Sequence, residues 1–211
     1  MHDERFFRST RGQILQSLRK KRLCTIDDLS ESLGLTPNAI RQHVAVLERD
    51  GLVVQGSVRR GRFKPCHAYS LTSRGDDLFP KRYESLLSEL LREVSEADGP
   101  EKVGGLLAGW ARRQAEKEFR LFDGKPLSER VAALADLLNT RGWLAEYQEQ
   151  DGGFMIKGFN CPFGRIPESY PQICSAGIQL MEQLLSTKVQ QISTLQNNGD
   201  CCSFVIPQEK S

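Results

Sequence analysis

The 211 residues, 23.8 kDa, are 39% apolar and 27% charged, which excludes wholesale disorder and fits one large soluble domain or two small ones. No apolar run nears the roughly 18–20 residues that span a bilayer. The start, Met1-His2-Asp3-Glu4-Arg5-Phe6-Phe7, lacks the layout of a secretory signal, so a cytoplasmic protein without membrane contact is expected. The net charge of +2 hides an asymmetry: residues 1–75 hold 14 Lys and Arg against 7 Asp and Glu, and the remainder holds 15 against 20. A basic N-terminal third suits a polyanionic partner.

The pattern predicts a helix over 9–20, with Ile14, Leu15 and Leu18 on one face. Thr25 is placed to cap a second helix over 26–33, ended by Gly34. Thr36 and Pro37 then open a third helix that runs to Asp50, with Ile40, Val44 and Leu47 inward. Leu52-Val53-Val54 reads as a short strand. An arginine-rich stretch from Val58 to Lys64 follows, with Gly56 and Gly61 as turn residues. His67 to Leu71 alternates as the returning strand. Thr72 is the expected cap of a short helix stopping near Pro80.

Residues 81–97 predict an amphipathic helix with Leu86, Leu87, Leu90, Leu91 and Val94 in one stripe. Asp98-Gly99-Pro100 breaks it. A further helix over 101–121 uses Val103, Leu106, Leu107, Trp110 and Phe119 as its apolar side. After a turn at Asp123 to Pro126 come helix 127–140, strands 143–148 and 153–158, helix 172–187, and strands 189–194 and 202–206. The whole reads as α+β: a winged helix-turn-helix over 1–80, a helical linker and dimerisation segment over 81–122, and a small α+β module over 123–211.

Three short helices followed by an arginine-rich hairpin describe a winged helix-turn-helix, which needs a helix with an exposed N-terminal face to enter the major groove. Thr36, Asn38, Arg41, Gln42 and His43 supply that face, and Asn, Gln and Arg can pair bidentately with base edges. Arg59, Arg60, Arg62 and Lys64 supply cations at the wing tip, where contacts to the backbone or minor groove give affinity. No Walker loop, GxGxxG, HExxH, GxSxG or paired-carboxylate motif is present, so no enzyme is expected. Trp110 and Trp143 read as core anchors.

Of six cysteines, Cys161, Cys174, Cys201 and Cys202 lie in the last 51 residues, and clustered cysteines in a cytosolic chain point to metal or redox chemistry. Twelve residues separate Cys161 from Cys174, and 26 separate Cys174 from the vicinal pair. That spacing has no C-x2-C pair of the kind zinc sites use, and an iron–sulfur cluster tolerates long irregular spacings. Iron–sulfur, zinc and redox thiols all stay open on spacing alone. Cys24 and Cys66 read as packing residues.

Leu35 to Val44, then Leu47-Glu48-Arg49-Asp50-Gly51-Leu52-Val53, resembles the DeoR/ArsR-like winged-helix repressors. Gly61 to Thr72, Phe79-Pro80-Lys81-Arg82-Tyr83, Asn160-Cys161-Pro162, Cys174 and Gly199 to Ile206 resemble the SufR family more specifically. The resemblance implies a dimeric iron–sulfur transcriptional repressor of the iron–sulfur cluster assembly (suf) operon, acting at an inverted-repeat operator. It implies a [4Fe–4S] cluster with Cys161, Cys174 and Cys202 as thiolate ligands. Cys201 or a non-cysteine group would be the fourth, because Lys188 stands where other members carry a further cysteine. Thiol-redox or zinc sensing, and an iron–sulfur protein with no regulatory role, are the competing expectations.

Overall fold

The computed structural model describes residues 4–59, 65–197 and 199–208, and the chain divides into two compact units, Met1–Lys81 and Arg82–Ser211. The first unit runs α1 (Glu4–Arg8), α2 (Thr10–Lys21), α3 (Ile26–Leu33), α4 (Pro37–Arg49), β1 (Val53–Val58), β2 (Cys66–Leu71) and α5 (Ser73–Asp77). The helix starts have chemical reasons. The Ser9 hydroxyl accepts from the Gly12 N–H. Thr25 and Asp28 form a reciprocal capping box. Thr36 accepts from the Ala39 N–H, with Pro37 at the first helical position. Such caps each contribute about 0.5–2 kcal/mol. Gly34 ends α3 at φ 65°, a conformation that costs glycine nothing.

Ile14, Leu15, Leu18, Leu29, Ile40, Val44, Leu47 and Val53 make the core of this unit, with about 1.5–3 kcal/mol from each large side chain buried. Three local expectations change. α1 is an additional helix, packed so tightly that a Cβ on Gly12 would overlap the Phe6 and Phe7 backbone. Gly56 does not turn the chain; it pairs with Ala68 inside an antiparallel ladder that extends to Val58↔Cys66. α5 covers only five residues.

The second unit contains α6 (Tyr83–Asp98), α7 (Pro100–Glu118), a 3-10 turn (Phe119–Leu121), α8 (Leu127–Thr140), β3 (Ala145–Gln150), β4 (Gly153–Gly158), α9 (Ile166–Ser169), α10 (Gln172–Leu185), β5 (Gln190–Ser193) and β6 (Cys202–Pro207). Its sheet is antiparallel throughout, in the order β3-β4-β6-β5. Phe154, Ile156, Phe204 and Ile206 pack against Val131, Leu134 and Leu138 of α8 and Leu180, Met181 and Leu184 of α10. α7 joins the same core through Ala111 and Ala115. With a winged helix-turn-helix, central helices and this sheet, the molecule has the expected α+β class. The expected strand 143–148 starts instead at Ala145, because Leu144 turns through φ 51° and the Asn139 amide brackets the Ala145 N–H and C=O.

The predicted stripe on α6 splits. Leu91 is buried and Val94 half-buried against Val103, Ile166 and Ile173. Tyr83, Leu86, Leu87 and Leu90 remain exposed. These four stand at i, i+3, i+4 and i+7, which is one continuous face.

Candidate nucleic-acid interface and thiol cluster

α4 turns Ile40, Val44 and Leu47 into the core, and this leaves Thr36, Asn38, Arg41 and Gln42 exposed together on its N-terminal half. His43 is half-buried at the edge of that face. The Thr36 oxygen caps the helix, so its hydroxyl proton remains free to donate. Pro37 has no N–H and the Ala39 N–H is taken by the cap, so the Thr36 hydroxyl and the Asn38 N–H are the first-turn donors placed to meet a phosphate. The five residues predicted for base and phosphate contact therefore share one end of one helix.

The wing adds polar groups that the sequence pattern does not single out. On one face of the β1–β2 ladder, Gln55 Nε2 lies 2.7 Å from His67 Nδ1, and the Tyr69 hydroxyl donates to Gln55 Oε1 at 3.4 Å. Burial and the Glu48 carboxylate push the Tyr69 hydroxyl pKa up, and the Arg41 guanidinium opposes them. Arg41 and the wing strand thus belong to one electrostatic neighbourhood. Alternation is the signal that could have found these residues: 55, 67 and 69 project from the same side of a two-stranded ribbon. Arg59 directly follows β1 and is exposed. Arg60, Arg62 and Lys64 lie outside the described residues.

Cys24 is buried, 1% exposed, whereas Cys66 is exposed with its Sγ 3.5 Å from the Val58 carbonyl. The expectation of two packing cysteines holds for the first and fails for the second, because Cys66 occupies an outward position near the wing tip.

The C-terminal cysteines are arranged by the sheet register. Gly158 at the end of β4 pairs with Cys202 at the start of β6, and the chain reaches Cys161 three residues later. Cys174 sits in the first turn of α10. Cys161, Cys174 and Cys202 line one small cavity with Trp143, Phe163 and Gln196. Cys201 does not line it; its Sγ lies 3.3 Å from the Ser203 hydroxyl. Period-2 alternation puts Cys201 and Cys202 on opposite sides of the strand start, so only one of them turns toward Cys161.

Burial pushes the Cys174 thiol up to about 11, and the neighbouring Cys161 and Cys202 add to it. Cys161 is raised as well, chiefly by burial, with Cys202 contributing and hydrogen bonds involving Phe163 and Gln196 opposing. Cys161 and Cys174 therefore each feel a neighbouring thiol electrostatically. The donor set, three sulfurs with no carboxylate in the same wall, suits a thiophilic ion or cluster. The cavity, about 20 Å3, holds about one water. A larger inorganic group needs more room than this cavity gives. Among the described residues, no three His, Cys, Asp or Glu side chains are grouped as a site for a single metal ion.

Residues 7–54 match the family model for winged helix-turn-helix DNA-binding domains. That match covers α2, α3, α4 and the start of the wing. No curated protein matches the chain. No helix among the described residues is long and apolar enough to cross a membrane.

Proposed function

We propose that the chain is a cytoplasmic repressor that binds an inverted-repeat operator as a homodimer and carries a [4Fe–4S] cluster on Cys161, Cys174 and Cys202. The winged helix-turn-helix DNA-binding domain at residues 7–54 points to a transcriptional regulator rather than an enzyme. The observation that carries the reading is the meeting of these three thiols, from three separate elements, at one cavity in a chain with a DNA-binding module. Cys201 or a non-cysteine group is the candidate fourth ligand. The resemblance to the SufR family supplies the proposed target, the operon for cluster assembly.

Each part has a physical role. Asn38, Arg41 and Gln42 read base edges, Thr36 holds a phosphate, and Arg59 with its wing neighbours contributes sequence-independent affinity. The outward face of α6, with Tyr83 72%, Leu86 55% and Leu90 54% exposed, supports self-association. A dimer places two recognition helices one helical turn of DNA apart, about 34 Å, so a small change in their spacing alters affinity steeply. When bound, the cluster supplies iron–thiolate bonds that link the three chain segments. The segment 159–173 and the start of β6 are then the parts whose order depends on it.

Footprinting of the protein on the promoter of the cluster-assembly operon tests the regulatory reading. The expected result is protection of two half-sites related by a two-fold axis. A single asymmetric half-site contradicts the dimer. Metal and sulfide analysis separates the cluster from a zinc or thiol switch.

A further inference from the structure

Beside the thiol cavity lies a larger one that the proposed function leaves unused. It has a volume of about 300 Å3, at the lower end of small-molecule sites. α7, α8, α10 and the Cys161 loop enclose it. Its walls are apolar and aromatic, and the only two tryptophans in the chain, Trp110 and Trp143, both face it. The Phe163 ring stands nearly perpendicular to both indoles, with centroids at 6.0 and 6.5 Å. This three-ring corner suits a flat ring offered edge or face.

Gly177 gives independent support. It is a buried glycine in the middle of α10, where alanine would be better by about 0.5–1 kcal/mol. A Cβ there would meet nothing within 4 Å. The missing side chain leaves open space, and Gly177 lines both this cavity and the thiol cavity. A position where a larger residue would improve both helix propensity and packing is instead kept empty.

Two polar side chains enter the wall, Gln114 and Arg141. Arg141 Nη2 donates to Glu118 Oε1 at 2.9 Å, which orients the guanidinium and leaves its other N–H groups for a second acceptor. We infer that this cavity is a binding site for a planar aromatic carboxylate. The rings lie among Trp110, Trp143 and Phe163, the carboxylate meets Arg141 and Gln114, and the space beside Gly177 takes the remaining bulk. Phe163, Trp143, Gly177 and Met181 are shared with the thiol cavity, so occupancy presses on the wall behind Cys161.

Cinnamate is the probe, added to the full-length protein and followed by calorimetry and tryptophan emission. The expected result is saturable binding, one per chain, with a change in emission from both indoles. Arg141→Met weakens it by roughly ten-fold or more, as expected when a charge-assisted hydrogen bond is removed, and uncharged cinnamamide binds more weakly by a similar factor. Gly177→Leu and, independently, Leu137→Phe fill the cavity and abolish binding while the protein still unfolds cooperatively. Absence of saturable binding, or binding unchanged in both filled variants, overturns the site. Equal binding of cinnamate and cinnamamide overturns the carboxylate assignment.

Discussion

Gly75→Ala is expected to destabilise the DNA-binding unit, although helix propensity alone favours alanine by about 1 kcal/mol. Gly75 lies in α5, where the helix rests on the backbone that leaves α4 for the wing. A Cβ at Gly75 would overlap the Leu52 carbonyl oxygen, stand 3.0 Å from the Leu52 carbonyl carbon and stand 3.3 Å from Leu71 Cδ2. The Leu52 oxygen is already occupied, accepting from the Thr72 N–H at 3.1 Å. Thr72 in turn donates to the Gly51 carbonyl and caps α5 at the Gly75 N–H. Relief of the overlap separates α5 from the wing base. The cost is overpacking of about 1–3 kcal/mol plus about 1 kcal/mol for a weakened hydrogen bond. Net destabilisation of about 1–3 kcal/mol remains after the propensity gain. Because both tryptophans belong to the second unit, tryptophan emission follows that unit and far-UV circular dichroism follows both. In urea, the dichroism curve should lose stability at lower concentration. Gly105→Ala is the control, since nothing lies within 4 Å of its Cβ, and it should be neutral or stabilising. Equal stability of the two variants would show that the overlap with Leu52 does not govern this site.

Three further outcomes rest on individual side chains. Replacing Arg59, Arg60 and Arg62 together by Ala should weaken binding to all DNA sequences alike and lower the salt slope by about 0.9 for each phosphate no longer neutralised; filter binding across a salt series checks it. Asn139→Ala leaves the buried Ala145 N–H and C=O without their bracketing amide, so a loss of about 2–3 kcal/mol is expected by chemical denaturation. Asp76 receives a hydrogen bond from Lys81 at 2.6 Å and pairs with Arg19, which together hold its carboxyl below the usual carboxylate range. A depressed folded pKa means the contribution is present above the unfolded pKa and is lost as pH falls through the folded one. Asp76→Asn should therefore flatten the acid side of the stability curve and leave the slope near neutral pH unchanged.

The DNA-binding half is largely legible because its signals are local. Thr25, Gly34, Thr36 and Pro37 act within three or four residues, and each lies at the helix end where its chemistry puts it. Gly56 misleads because a strand interior tolerates glycine when the partner, here Ala68, is small. α1 escapes the pattern because its stability comes from backbone packing on Gly12, a contact without a periodic signature. On α6 the apolar stripe is visible, but the division between Leu91 inside and Leu86, Leu87 and Leu90 outside depends on where α7 and α9 stand. The convergence of Cys161 and Cys174 with Cys202 rather than Cys201 requires the register Gly158↔Cys202. The cavity beside Gly177 leaves no trace in the sequence except one glycine inside an otherwise regular helix.

Whether three specific thiols hold a cluster in a DNA-binding regulator is decided by anaerobic purification with iron and sulfide assay. The wild type and single Cys→Ser variants at 161, 174, 201 and 202 are compared. Iron and acid-labile sulfide are expected in the wild type, and their loss in Cys161→Ser, Cys174→Ser and Cys202→Ser. The Cys201→Ser result then assigns the fourth ligand. A wild-type protein without sulfide, or one whose cluster survives removal of Cys161, Cys174 or Cys202, contradicts the proposed ligand set.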